Sequence, residues 1–176
     1  GDGGVLEYGC GAGRILLPLA RLGLDCTGVD RSAPMLRALR QKLKLHPELK
    51  PRIDVKQGDM RRVRLDRRFP LVLCTFNTFL HLYTRQDVEQ FLARVRAHLK
   101  RGGRFVVDVS VPNPEELERD PGKLTRVTPF RHPRELEALL HYNGFEVTDV
   151  YGDFEMRPPD ADTVDIALMC RARRGF

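Results

Sequence analysis

The chain has 176 residues, 41% of them hydrophobic and 31% charged, which suits one domain with a full core and excludes a disordered or fibrous chain. Its 30 basic against 24 acidic residues leave a formal charge of +6, but the arginines are spread along the chain, runs such as Arg61-Arg62 and Arg67-Arg68 lack interleaved aromatics, and there is no Trp, so a solvated basic surface is favoured over a nucleic-acid face. No apolar run approaches the roughly 18 to 20 residues of a membrane span, the N-terminus lacks a signal-peptide layout, and the isolated Cys10, Cys26, Cys74 and Cys170 offer neither zinc spacing nor a disulfide framework, which points to buried free thiols and a cytoplasmic location.

Near the N-terminus Val5, Leu6 and Tyr8 surround Glu7 in a strand pattern, Gly9, Gly11 and Gly13 recur at every second position, and a helical stripe begins at Ile15. This is strand, glycine loop, helix, a place where backbone can meet a cofactor because no Cβ intervenes. The dinucleotide fingerprint needs its third glycine one residue later, where Arg14 stands, and the Lys-Ser/Thr of a phosphate loop is missing. What remains is an acidic residue followed by G-x-G-x-G.

Gly23 ends the first helix, and a second strand, Leu24 to Val29, stops at Asp30. An acidic residue about 20 positions past the glycine loop, at the end of the next parallel strand, is placed to accept hydrogen bonds from a ribose diol. Ser32 is the better helix cap, and the helix it opens runs to Leu45 before His46-Pro47. The third strand, Arg52 to Lys56, leads to Gly58-Asp59-Met60, and Arg61 to Phe69 reads as a solvated connection.

Phe69 to Phe76 is apolar almost throughout, as expected for a parallel strand covered on both faces. Its carboxyl end delivers Asn77, Thr78, Phe79, His81 and Tyr83 to the side of the sheet where ligands bind. Thr84 caps a helix with the stripe Val88, Phe91, Leu92, Val95 and Leu99, closed by Gly102-Gly103. Arg104 to Val109 is the fifth strand, residues 112 to 131 are irregular, a helix opens at His132-Pro133, and strands follow at Phe145 to Tyr151 and Thr163 to Arg171.

In these motifs and their order, from EYGCGAG through D30, GDM, FNTFLHL and LKRGGRFVVDV to HPRELEALLHYNGFEVTDVYGDF, the chain resembles the class I S-adenosylmethionine-dependent methyltransferases. The resemblance covers nearly the whole chain. It implies an α/β, Rossmann-like, doubly wound seven-stranded mixed sheet in the order 3-2-1-4-5-7-6, with strand 7 antiparallel. It implies S-adenosylmethionine as cofactor and S-adenosylhomocysteine as product, with no metal. The cofactor contacts it assigns are Glu7, Gly9, Gly11 and Gly13 around the methionine portion, Asp30 at the ribose and Asp59 and Met60 at the adenine, with Cys10, Arg31 and Phe76 as further contacts.

The fourth strand is not followed by the N-P-P-Y or D-P-P-Y of the enzymes that methylate adenine or glutamine; Phe76-Asn77-Thr78-Phe79 is similar instead to small-molecule and uncharacterised methyltransferases. His81 is the candidate general base, the alternative being a packing role beside the cofactor. Asn77 and Thr78 either orient the acceptor or serve the loop backbone. Two features depart from the family. About twenty residues stand where relatives insert a substrate platform after strand five, and the first strand begins almost at residue 1, so residues 1–176 are expected to form a single domain lacking the usual N-terminal helical cap. A small-molecule acceptor is expected, with an RNA or protein acceptor and a non-catalytic S-adenosylmethionine-binding domain as alternatives.

Overall fold

The computed structural model describes residues 3–110, 133–153, 155–160 and 163–173. Seven strands, β1 (Val5–Tyr8), β2 (Cys26–Asp30), β3 (Ile53–Gln57), β4 (Phe69–Cys74), β5 (Leu99–Ser110), β6 (Phe145–Tyr151) and β7 (Asp165–Ala172), form one sheet in the order β3-β2-β1-β4-β5-β7-β6. The first five run parallel, and β7 lies antiparallel between β5 and β6. That is the expected doubly wound order, with its switch point beside β1.

Strand alternation distributes the core over both faces of the sheet. On one, α1 (Leu16–Arg21) and α2 (Ala33–Leu45) bury Leu16, Leu17, Leu36, Leu39 and Leu43 with Cys26 and Ile53. On the other, α3 (Arg85–His98) and α4 (Pro133–Tyr142) bury Val88, Phe91, Leu92, Val95, Leu136 and Leu140 against Leu6, Tyr8, Val72 and Phe105. Phe91 is the hub of this second layer, with Tyr8 at 5.1 Å, Phe79 at 6.0 Å and Phe105 at 6.2 Å, each edge to face.

Two local expectations are corrected. The helix after Thr84 ends at His98 rather than at the glycines, because Leu99 already pairs with Phe69 of β4. His98 itself is buried between the Tyr8 hydroxyl, 2.5 Å from Nδ1, and the Leu65 amide, which donates to Nε2 at 3.0 Å. The connection after β3 is anchored rather than solvated throughout: Val63 is buried, Leu65 packs on the core, and the Lys56 ammonium donates to the Arg64 carbonyl at 2.9 Å. The platform segment expected at residues 112 to 131 and the helix start at His132 lie outside the described residues. Among the described residues no helix is long and apolar enough to cross a membrane.

Candidate functional site

A cavity of about 500 Å³ opens at the carboxyl ends of the parallel strands. Its walls come from the glycine loop (Gly9, Gly11), the end of β2 with the start of α2 (Val29 to Ser32, Met35), the turn after β3 (Gly58 to Arg61) and the segment after β4 (Thr78, His81, Leu82, Tyr83). Of the residues expected to hold a cofactor, Gly9, Gly11, Asp30, Arg31, Asp59 and Met60 line it and Glu7, Cys10, Gly13 and Phe76 do not; of the two catalytic candidates, His81 lines it and Asn77 does not.

The glycines divide the work. All three have positive φ, but a Cβ on Gly9 would lie 2.3 Å from Thr78 Cγ2, and one on Gly13 would lie 2.4 Å from Leu39 Cδ1. The first glycine thus lets the post-β4 segment close on the loop, and the third seats α2. Gly11 lines the cavity with Gly9, and its amide donates to Asp30 Oδ2 at 2.8 Å.

Asp30 is held from both sides. Ser32 N donates to Oδ1 at 2.7 Å while Ser32 Oγ accepts from Met35 N as the cap of α2, so the carboxylate is free of capping duty. Each oxygen accepts one backbone amide and keeps acceptor capacity toward the cavity, which is what a ribose diol requires.

Glu7 lies beneath the loop, 3% exposed. Its Oε1 accepts from the Thr75 hydroxyl at 3.4 Å, and Oε2 has no hydrogen-bond partner among the described residues. Burial pushes its carboxyl up to about 8, with the Thr75 hydrogen bond opposing and the Asp30 charge adding. An orphaned buried carboxyl oxygen is a site for an incoming donor, so the chain fits a cofactor whose amino acid end carries an ammonium. Cys10 is buried and its thiol is pushed up to about 12 by desolvation, with Glu7 and Asp30 adding, so its side chain packs and its backbone forms the loop.

On the other side of the cavity, Asp59 is engaged by a residue that the sequence pattern does not single out. Arg61 Nε donates to Oδ1 and Oδ2 of Asp59 at 2.9 and 3.1 Å, Nη2 donates to Oδ2 at 2.5 Å, and the Arg61 backbone amide adds a fourth bond at 2.9 Å. The Arg61 hydrogen bonds hold the Asp59 carboxyl down at about 2. Arg61 Nη1 also donates to Asp87 of α3.

At the end of β4, Phe76 and Asn77 both take left-handed backbone conformations, φ 54° and 60°. Such conformations persist only where the surroundings impose them. Here the amides of both residues donate to the buried Asp108 carboxylate at 2.9 Å each, and burial pushes that carboxyl above its ordinary range while the two amides oppose the shift. The Asn77 side chain donates to Ser110 Oγ at 2.7 Å and accepts from Ser110 N at 2.6 Å, and Ser110 Oγ donates on to Asp165 at 2.6 Å. Asn77 therefore builds the loop with both ends of its amide. The Phe76 ring carries the Arg14 guanidinium 4.5 Å above it. His81 is exposed, with Nδ1 3.4 Å from the Tyr83 hydroxyl, and both side chains lie on the cavity wall. The sequence marks Asp108 only as an acidic residue within the apolar run FVVDV.

Residues 5–103 match the family model described as "Methyltransferase domain". Among curated proteins, the chain is 32% identical over 124 residues to the cypemycin N-terminal methyltransferase of a Streptomyces species, covering 70% of this chain and 48% of that protein. It is 32% identical over 104 residues to the dTDP-3-amino-3,4,6-trideoxy-alpha-D-glucopyranose N,N-dimethyltransferase of Streptomyces venezuelae, covering 59% and 41%. The chain thus spans about half the length, or less, of these relatives. Among solved structures, the CcbJ methyltransferase of Streptomyces caelestis superposes with a TM-score of 0.85 at 26% identity, over 97% of this chain and 84% of that one. The glycopeptide N-methyltransferase MtfA, complexed with S-adenosylmethionine, superposes with a TM-score of 0.77 at 22% identity, over 98% and 88%. With the sheet order, the glycine loop and more than half of its length matched by the family model, the chain belongs to the class I S-adenosylmethionine-dependent methyltransferases.

Proposed function

We propose that this chain transfers a methyl group from S-adenosylmethionine to a small-molecule acceptor, with residues 1–176 acting as one methyltransferase domain in the cytoplasm. The observation that carries the proposal is the Asp30 carboxylate, fixed by the Gly11 and Ser32 amides on the wall of a cavity large enough for a nucleoside with an amino acid tail. The names of the relatives support a small-molecule acceptor, an amine for the two described above and an oxygen for the ubiquinone biosynthesis O-methyltransferase of Rhodopseudomonas palustris, 32% identical over 160 residues. Four buried free cysteines support a reducing compartment.

In this scheme Asp30 takes the ribose hydroxyls, Asp59 and Met60 the adenine, and Glu7 with the glycine loop the methionine end. S-adenosylmethionine, when bound, supplies a methyl group activated by its sulfonium for in-line displacement. The chain's own contribution is positioning, for which effective molarities reach about 10⁵ to 10⁸ M. Thr78, His81 and Tyr83 line the cavity on the post-β4 side and are the residues proposed to orient the acceptor. A neutral amine attacks without prior deprotonation and sheds its proton once the new bond has formed, with the exposed His81 imidazole on the cavity wall as the proposed base; a hydroxyl acceptor would need that base beforehand.

A nucleic-acid acceptor is the second reading, and one observation favours it. Arg61, Arg62, Arg64 and Arg94 line a shallow cleft of about 360 Å³ that adjoins the main cavity at Arg61. Incubation with methyl-labelled S-adenosylmethionine and separate panels of amines, alcohols, carboxylates and short RNAs tests both readings. Label in the amine, alcohol or carboxylate panel supports the first and names its acceptor class, label in RNA alone replaces it with the second, and label in no panel despite cofactor binding supports a non-catalytic domain.

A further inference from the structure

Arg61 joins two walls of the cavity that the sheet itself leaves unconnected. Its guanidinium closes on both oxygens of Asp59 at 2.5 to 3.1 Å and reaches Asp87 with its remaining nitrogen. Asp87 is not an ordinary surface carboxylate. It is the third residue of α3, where its Oδ2 accepts from Thr84 N at 3.2 Å while Thr84 Oγ1 accepts from Asp87 N at 3.1 Å, a reciprocal capping box. The residues leading into that cap, Thr78 to Tyr83, are the post-β4 wall of the cavity. One side chain therefore spans from the turn after β3 to the capping box of α3, which directly follows the post-β4 wall.

The three side chains are 28%, 30% and 17% exposed (Arg61, Asp59, Asp87), so the bridge is shielded more than a surface ion pair. A bidentate guanidinium fixes the plane of the carboxylate it grips. Only three N–H groups engage the carboxylate, Nε being shared between both oxygens, so one of its about four acceptor sites remains for a donor entering from the cavity. Without the guanidinium, only the Arg61 backbone amide, 2.9 Å from Oδ1, would hold the Asp59 carboxyl.

We infer that Arg61 is a positioning residue of the cofactor site, orienting Asp59 toward the adenine amine and coupling adenine binding to the order of Thr78 to Thr84. The inference rests on the S-adenosylmethionine reading above and goes beyond it by assigning both a determinant of base specificity and a link between the cofactor and acceptor sides.

The test titrates wild type, Arg61→Ala, Arg61→Lys and Asp87→Asn with S-adenosylhomocysteine and with its deaminated analogue, in which oxygen replaces the 6-amino group. Hydrogen exchange at residues 78–84 is followed with and without ligand. Wild type is expected to prefer the amino form by about tenfold or more, and to slow exchange in the segment on binding. Arg61→Ala is expected to lose most of that preference and the ligand-induced protection, with Arg61→Lys intermediate. Asp87→Asn leaves the Asp59 contact and a capping oxygen in place, so it is expected to keep the base preference and lose the protection; it also serves if Arg61→Ala fails to fold. Unchanged preference and protection in Arg61→Ala would overturn the inference while leaving the cofactor reading intact. Wild type that binds neither ligand would overturn both.

Discussion

Glu7 and Thr75 face each other beneath the glycine loop, the threonine hydroxyl 3.4 Å from Glu7 Oε1, while Oε2 is buried with no hydrogen-bond partner among the described residues. Burial sets the carboxyl at about 8 against an ordinary 4.5, so the folded chain keeps it protonated at neutral pH. The sign follows. Between those values the folded state holds more protons than the unfolded one, so this group's contribution to stability is complete below about 4.5 and is lost as pH rises through about 8. Denaturation of the free chain at a series of pH values should show a decline on the order of 4 kcal/mol over that window attributable to this group. Glu7→Gln should abolish that component, and parallel curves for the two proteins would refute the assignment.

The same carboxyl makes a prediction about ligand binding. An ammonium delivered to Oε2 favours the ionised form, so S-adenosylhomocysteine binding at pH 7 should release close to one proton from wild type and much less from Glu7→Gln. Calorimetry in buffers of different ionisation enthalpy counts the protons directly.

Gly9 and Gly23 separate two reasons for a glycine. Both have positive φ, 72° and 87°, but a Cβ on Gly23 meets nothing within 4 Å, whereas one on Gly9 runs into Thr78. Gly23→Ala should cost about 1 kcal/mol from the backbone alone. Gly9→Ala adds a clash with a side chain on the cavity wall and should cost roughly 2 to 4 kcal/mol. Equal effects in denaturant titrations would mean that the close approach of the post-β4 segment to the loop is wrong.

The aromatic layer under the site offers a control on the fold. Phe91 is fully buried and contacts Tyr8, Phe79 and Phe105, linking β1, β5 and the 3₁₀ turn Thr78–His81 through α3. Phe91→Ala should destabilise the chain by about 3 to 5 kcal/mol, and because Phe79 belongs to the turn carrying His81, the post-β4 amides should lose exchange protection first.

The strands were legible because their patterns are local. FPLVLC is a continuous apolar run, Glu7 and Asp30 punctuate strand ends, and glycines stand where the backbone turns with positive φ. The sheet order came with the resemblance of the ordered motifs. Arg61 was not legible, since it is one of five arginines between Asp59 and Phe69 and its partner Asp87 stands 26 residues on, brought close only by the docking of α3. The duty of Asn77 was equally hidden: its partner Ser110 is 33 residues away on the adjacent strand, and the left-handed turn that aims the amide at it is held by Asp108. Strand ends announce themselves by composition; which of their polar groups face a ligand is decided by long-range pairing.

The most direct test of the central claim is calorimetric titration of the purified chain with S-adenosylmethionine and S-adenosylhomocysteine, alongside Asp30→Ala. The structure predicts micromolar binding of both ligands to wild type and a loss of about a hundredfold in the variant, since the ribose loses its charged acceptor and the Gly11 amide its partner. Absence of binding to wild type, or equal binding by Asp30→Ala, would contradict it.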